Sequence, residues 1–292
     1  MKNYLVQKSI KSTIIYIFMI IFGLIAVVPV WVLLVNATRS TSQINTGLSI
    51  FPSIHAFNDW TGPDGVVIKS NWFALTSRGF KIAHGFKNSI IVAGLSTILN
   101  VYFSALTAYA IHIYRFKGRK VLWAVIMTLI MLPASLSFIG FYQFMAKIHL
   151  TNTYIPLIIP AMAAAGTVLF MKQYLESILS LELIEASRID GAGELLIFNR
   201  IILPVIKPAL ATQAIFAFVA SWNNFMTPFV LLSKTEKYTL PMLVQMLRGD
   251  IYRTEYGGIY LGIAISLVPI IIFYCFMSKF IISGLTMGSV KE

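Results

Sequence analysis

An all-α protein that crosses a membrane with six transmembrane helices is the fold class this sequence predicts, and three observations predict it. Of 292 residues, 58% are hydrophobic and 12% charged, with a mean hydropathy of +0.79; a soluble globule of this length needs more polar surface. Six windows of 23 to 27 residues contain no Asp, Glu, Lys or Arg, against the roughly 20 residues a helix needs to cross hydrocarbon. The formal net charge of +12 comes mostly from Lys and Arg at the flanks of these windows. Membrane topology places them there, so the charge does not point to nucleic acid.

The spans are expected at about 12–36, 88–114, 121–146, 152–172, 208–233 and 256–280 in a single membrane domain covering residues 1–292. The first follows Lys2, Lys8 and Lys11, and its apolar core is longer than the 7 to 15 or so residues of a cleaved signal, so a retained anchor is expected. The stretch 40–58 is also uncharged, but it is rich in Ser, Thr, Asn and Gln and carries Pro52, so it reads as loop. It belongs to an outer loop, 39–87, in which Asp59-Trp60, Gly62-Pro63-Asp64-Gly65 and Asn71-Trp72 suggest turns and aromatic anchors at the interface. After the second span, Arg115, Lys117, Arg119 and Lys120 crowd one short loop, which marks it as cytoplasmic. An even number of spans then puts both termini on that side. Pro133, Pro156, Pro160, Pro228 and Pro269 lie in or near spans, where they serve equally as tolerated kinks or as gating elements. Cys275, the single cysteine, sits in the last apolar run, so no internal disulfide and no cysteine metal site is expected.

Between the fourth and fifth spans lies a polar segment, 176–207, that cannot sit in hydrocarbon: it holds five of the eleven acids, Glu176, Glu182, Glu185, Asp190 and Glu194. Glu182 and Glu185 share a helical face, and Glu185 and Arg188 are spaced for an i,i+3 ion pair. Gly191 and Gly193 predict a turn between two short helices. Pro204 and Pro208 then force a break before the next apolar run.

These residues carry a family resemblance. Glu185-Ala186-Ser187, Asp190-Gly191-Ala192, Phe198, Ile201, Leu203-Pro204 and Pro208 resemble the EAA loop of the membrane subunits of bacterial ABC importers. Ser187 stands where alanine is commonest, and Ser180 where a proline usually precedes the helix. Further matches are Asn88-Ser89, Ala108-Tyr109-Ala110, Arg115-Phe116-Lys117-Gly118-Arg119, Leu132-Pro133, Trp222-Asn223, Tyr238-Thr239-Leu240-Pro241, Gly284-Leu285 and Gly288-Ser289-Val290-Lys291. Together they make the chain similar to the smaller permease subunit of maltose- and raffinose-type systems.

The resemblance implies a type I importer permease fold in the bacterial cytoplasmic membrane, with both termini cytoplasmic. Its cytoplasmic coupling helix would dock on the ATPase through Glu182, Glu185, Ala186, Ser187, Asp190, Gly191, Ala192, Leu203 and Pro204. The implied partners are a second homologous permease subunit, a dimer of ATP-binding subunits and an extracytoplasmic sugar-binding protein, within membrane lipid. No cofactor is implied.

The chemistry that is missing agrees with a subunit that conducts rather than catalyses. There is no Gly-x-x-x-x-Gly-Lys-Ser/Thr phosphate loop, and no Gly-Lys pair at all, so ATP must be hydrolysed by another chain. His55, His84, His112 and His149 lack the spacing of a zinc site. No acid falls in any of the six windows, which disfavours an intramembrane proton relay. The polar residues in the spans are uncharged: Asn100, Tyr102, Ser104, Thr107, Gln143, Gln213, Ser221, Asn223 and Asn224. They suit interhelical hydrogen bonds and equally a neutral polyhydroxylated solute, and Trp222, Asn223 and Asn224 are the candidates for the substrate pathway. The alternative function is a polytopic membrane enzyme that holds a lipid phosphate on the basic loop 115–120.

Overall fold

The structure, a computed structural model, describes residues 2–61, 65–76, 81–133, 138–246 and 255–288. The 62–64 part of the first predicted turn and the match at 289–291 lie outside the described residues. The chain divides into two compact units, residues 1–80 with 244–267, and residues 81–243 with 268–292.

The first unit begins with α1 (Lys2–Ala37), which contains Pro29. None of the most apolar stretch of this helix is buried by the rest of the chain, as expected of a span that lipid or another subunit covers. At its end the chain turns on polar bonds. Arg39 is buried and donates to Asn36 Oδ1 at 3.1 Å, to the Gly47 carbonyl at 2.9 Å and to the Gln43 carbonyl, so its charge is enclosed by acceptors. Ser40 and Gln43 form a capping box on α2 (Thr41–Asn45), satisfying two amides that the helix start leaves free.

A two-residue antiparallel ladder, β1 (Trp60–Thr61) with β2 (Val67–Ile68), leads to α3 (Asn71–Thr76). The Asn71 amide donates to the carbonyls of Ala37 and Arg39 at 2.8 and 2.9 Å. The part of the outer loop read as turns is thus a hydrogen-bonded unit. It also explains Gly257: a Cβ there would sit 2.2 Å from Asn71 Oδ1 and 2.6 Å from the Arg39 carbonyl. Gly257→Ala is therefore expected to destabilise this unit by about 1–3 kcal/mol, read as a lower Tm of the purified protein in detergent; an unchanged Tm would place the close approach elsewhere.

The second unit is built on α4 (Ile82–Ile113). Its polar residues near the start are bonded across to a distant loop: Asn88 donates to the carbonyls of Glu236 and Tyr238 at 2.7 and 3.0 Å, and Ser89 accepts from the Leu240 amide at 2.8 Å. Two segments singled out separately in the sequence, Asn88-Ser89 and Tyr238-Thr239-Leu240-Pro241, are thereby one contact. After Gly118, whose φ of +94° favours glycine, come α5 (Arg119–Met131), α6 (Phe138–Lys147), α7 (Ile155–Ile158), a 3-10 turn over Ile159–Ala163 and α8 (Ala165–Ile178). The helix α8 packs along α4, and Ala105, Ala108, Tyr109, Val168, Met171 and Leu175 form a common core.

Among the described residues four helices, Ser12–Ala37, Ile82–Ile113, Ile155–Ile178 and Tyr256–Ile281, are long and apolar enough to cross a membrane, and a bent pair, Glu194–Val205 with Lys207–Trp222, makes a fifth if taken as one span. The other predicted windows are interrupted. Window 121–146 divides into α5 and α6, because Pro133 lacks an amide donor and Leu132 before it is extended at φ −78°, ψ 129°. Window 208–233 holds a 16-residue helix that ends at Trp222, then a separate six-residue helix, Met226–Leu231. The second span starts at Ile82, six positions before the charge-free window, since one cation, Lys87, does not stop a helix.

Candidate coupling site

The segment 176–207 folds as a chain of short helices held against the second unit's core. The first, α9 (Leu181–Ile189), follows Ser180, which takes the extended geometry of a cap without a side-chain hydrogen bond to the helix. Glu182 in its first turn and Arg188 in its last complement the helix dipole. Ile184 and Ser187 point inward and are buried, while Glu182, Glu185, Ala186, Ile189 and Asp190 face outward. The Ser187 hydroxyl donates to the Leu183 carbonyl at 2.7 Å, so the serine closes its own polar group onto the helix at a position where alanine is the familiar residue.

The helix ends in a Schellman turn. The Ala192 amide donates to the Ser187 carbonyl at 3.1 Å and the Gly191 amide to that of Arg188 at 3.0 Å, with Gly191 at φ +79°. No atom lies within 4 Å of where its Cβ would be, so backbone strain, not crowding within the chain, is what selects glycine here. Two elements follow directly, α10 (Glu194–Ile197) and a π-helical turn over Phe198–Ile202, then α11 (Leu203–Val205). Pro204 has no amide to offer a carbonyl one turn back, and just before it the register widens: the Leu203 amide reaches the Phe198 carbonyl, five residues away. Then α12 (Lys207–Trp222) departs at 82° to the preceding pair. Ile197, Phe198, Ile202 and Ile206 are all fully buried, and Leu203 packs at the margin of the same core. Phe198 sits between Tyr109 and Tyr102 of α4, with ring centroids 5.5 and 5.7 Å away.

A polar clamp holds the two short helices together. Arg188 Nε donates to Glu194 Oε1 at 2.8 Å, the Tyr114 hydroxyl donates to Glu194 Oε2, and the guanidinium lies 5.8 Å over the Tyr114 ring. The Glu185–Arg188 pair expected from spacing is not formed: Arg188 turns across the glycine elbow to Glu194, leaving Glu185 exposed and without a salt bridge among the described residues. The hydrogen bond from Tyr114 and then that from Arg188 hold the Glu194 carboxyl below the ordinary carboxylate pKa. A depressed folded pKa means the clamp's contribution is fully present above about pH 4.3 and is lost as pH falls through the lower folded value.

Sequence reading overlooked the apolar part of the outward face. Leu181, Glu185 and Ile189 are spaced i, i+4, i+8 on one stripe, and Ile189 is 86% exposed, with Leu195 at 67% beyond the turn. Helical spacing alone could have found the stripe, because it lies opposite Ile184 and Ser187. Large exposed apolar side chains around one carboxylate are the composition of a protein-binding surface.

The candidates for the substrate pathway separate. Trp222 is 1% exposed, with its ring 5.6 Å from Phe218 and 5.7 Å from Phe86, so it packs in an aromatic cluster of the second unit. Asn223 caps α12, its amide bonded to the Val219 carbonyl at 3.0 Å. Asn224 turns back, its Oδ1 accepting from the Thr227 amide at 3.2 Å.

With this geometry in view, comparison with known proteins gives one answer. Residues 100–286 match the family described as binding-protein-dependent transport system inner membrane component. The arabinooligosaccharides transport system permease protein AraQ of Bacillus subtilis is 29% identical over 98% of this chain and 98% of its own length. Its namesake from Halalkalibacterium halodurans is 37% identical over 70% of this chain and 73% of its own. Among solved structures, a chain of a bacterial ABC transporter involved in import of the acidic polysaccharide alginate superposes with a TM-score of 0.74, at 23% identity, over 92% of this chain and 96% of that one.

Proposed function

Since the chain belongs to the family of binding-protein-dependent transport system inner membrane components, we propose that it is the permease subunit of an ATP-driven importer of neutral sugars. It forms half of the translocation pathway, crosses the bacterial cytoplasmic membrane six times as one domain with both termini cytoplasmic, and carries no catalytic site. In this reading the bent helices of windows 121–146 and 208–233 are broken spans, whose freed backbone groups neighbouring helices satisfy. A second homologous permease supplies the other half of the path, two ATP-binding subunits dock below, and an extracytoplasmic binding protein delivers the sugar. The sugar class is supported by the relatives, two of which are named for arabinooligosaccharides. No relative supports a lipid-phosphate enzyme.

The observation that carries the proposal is the outward face of α9: Glu185, without a salt bridge among the described residues, beside exposed Leu181, Ile189 and Leu195, on a segment whose inner face is buried in the core. A surface so rigidly presented is preorganised to transmit a push from the ATP-binding subunit. Two measurements check it. The purified chain is expected to show no ATPase activity alone and to support ATP hydrolysis and sugar uptake when reconstituted with its ATP-binding partner and binding protein; robust hydrolysis by this subunit alone overturns the reading. Single cysteines at Gly118 and Ser233 in a Cys275→Ser background are expected to react with a membrane-impermeant reagent in intact cells only at position 233. Labelling at 118 reverses the topology.

A further inference from the structure

A cavity of about 370 Å³ opens within the second unit, lined by residues of α4, α6, α7 and α12 and of the loop beyond it. That volume lies at the small end of the roughly 300–1,000 Å³ typical of small-molecule sites. Among the described residues no charged side chain lines it, so an ionic solute would find no counter-charge there. Its polar groups are amides and hydroxyls: Ser96, Asn100, Ser221, Asn224 and Thr227.

Their hydrogen bonds are incompletely used within the chain. Ser96 is committed, its hydroxyl placed 2.6 Å from the Val92 carbonyl and 3.2 Å from that of Leu157 across the helix interface. Asn100 is different: its Oδ1 is buried and receives no hydrogen bond among the described residues, an acceptor in need of a donor. Asn224 offers the complement, since its Oδ1 is engaged with the Thr227 amide while its NH₂ has no bond among the described residues. An acceptor and a donor on one small cavity match the O–H groups of a sugar, each of which both gives and accepts.

The remaining wall fits the same ligand. Phe138 and Phe141 line it, and an aromatic ring packs on the C–H face of a sugar that has its hydroxyls at the rim. Ala217 and Ala220 leave the space itself, because α12 presents only methyl groups at these two positions.

We infer that this cavity is a solute-contact site contributed by this chain, receiving one ring of a neutral sugar, with Asn100 accepting from one hydroxyl, Asn224 donating to another, and Phe138 and Phe141 packing on the ring. The assignment rests on the transport reading above. To the pathway candidate Asn224 it adds Asn100 of α4 and Phe138 and Phe141 of α6.

The test uses the assembled transporter in proteoliposomes with its ATP-binding and binding-protein partners. Ser221→Cys in the Cys275→Ser background is labelled with N-ethylmaleimide in the presence of maltose, lactose or arabinooligosaccharides, and uptake of each is measured in parallel. The transported sugar is expected to slow labelling at position 221 several-fold, and non-transported ones to leave it unchanged. Asn100→Leu is expected to raise the KM for uptake about tenfold, the effect of losing a hydrogen bond and leaving its partner unpaired, and Ala220→Leu to block uptake by filling the space. If Asn100→Leu fails to assemble, protection at position 221 decides alone. A sugar that is transported without protecting position 221 overturns the cavity assignment and leaves the transport reading standing. A wild-type complex that takes up no sugar, and is instead stimulated by an amino acid or a peptide, overturns the transport reading itself.

Discussion

Glu185→Lys and Gly191→Asp are each expected to abolish sugar uptake while the protein inserts and accumulates normally. The expectation for Glu185 follows from what it lacks. It is exposed and makes no salt bridge among the described residues, so reversing its charge removes nothing from the fold and should change stability by no more than about 0.5 kcal/mol. Any loss of transport must then come from a contact outside the chain, where desolvated charge pairs carry about 2 kcal/mol or more.

Gly191 acts through geometry. At φ +79° an L-residue costs about 1 kcal/mol or more, and an aspartate adds a second negative charge beside Asp190 at the helix C-terminus, where the dipole disfavours it. Gly191→Asn separates the two effects: asparagine tolerates the left-handed region and carries no charge, so it should retain much of the activity, whereas Gly191→Val should not. Co-purification with the ATP-binding subunit, and ATPase stimulation in vesicles, are the readouts. Wild-type transport by both Glu185→Lys and Gly191→Asp at equal expression would show that this segment is not the coupling element.

Phe198→Ala is expected to have the largest effect on stability, about 3–5 kcal/mol. The ring is fully buried between Tyr109 and Tyr102 and lies at the start of the π-helical turn, so its removal leaves a cavity where the coupling segment is attached to α4. The segment should detach before the spans unfold, because the spans are held by lipid and by their own hydrogen bonds. Limited proteolysis near 190–200 should then accelerate while the membrane-embedded fragments persist. Unchanged cleavage would mean that the segment is anchored mainly by the Arg188–Glu194–Tyr114 clamp. Phe198→Leu, which fills most of the space, should recover most of the protection.

The sequence was readable wherever local chemistry decides the outcome. The polar loop, the two short helices and the glycine elbow follow from composition and backbone preference over a few residues, and Gly191 has the left-handed geometry that its position suggested. Charge-free windows located apolar environments but not helix continuity: Pro133 and the Asn223-Asn224 break interrupt windows that contain no charge to mark them. The contacts of Glu194 with Tyr114 and of Asn88 with the Glu236 and Tyr238 carbonyls were not legible because the partners lie 80, 148 and 150 positions apart, and nothing in local spacing encodes such a distance. Glu194 would have passed as a solvated carboxylate, yet it is the acceptor on which two helices and α4 meet. The burial of Trp222 was not legible for a related reason: an aromatic beside two asparagines is the composition of a binding site, and its packing against Phe86 and Phe218 is a tertiary contact.

The 82° corner between residues 194–205 and α12 gives the two arms the form of a bell crank. In the coupling role proposed above, force reaching the short arm, residues 194–205, would become torque about the corner before Lys207, and the long arm of 16 residues reaches about 24 Å. A tilt of only about 5° would sweep its far end, where Ala220 and Ser221 wall the cavity, through about 2 Å at that rise per residue. Stiffness at the corner sets the gain of such a linkage, and the four isoleucine and phenylalanine side chains seated there are its bearing.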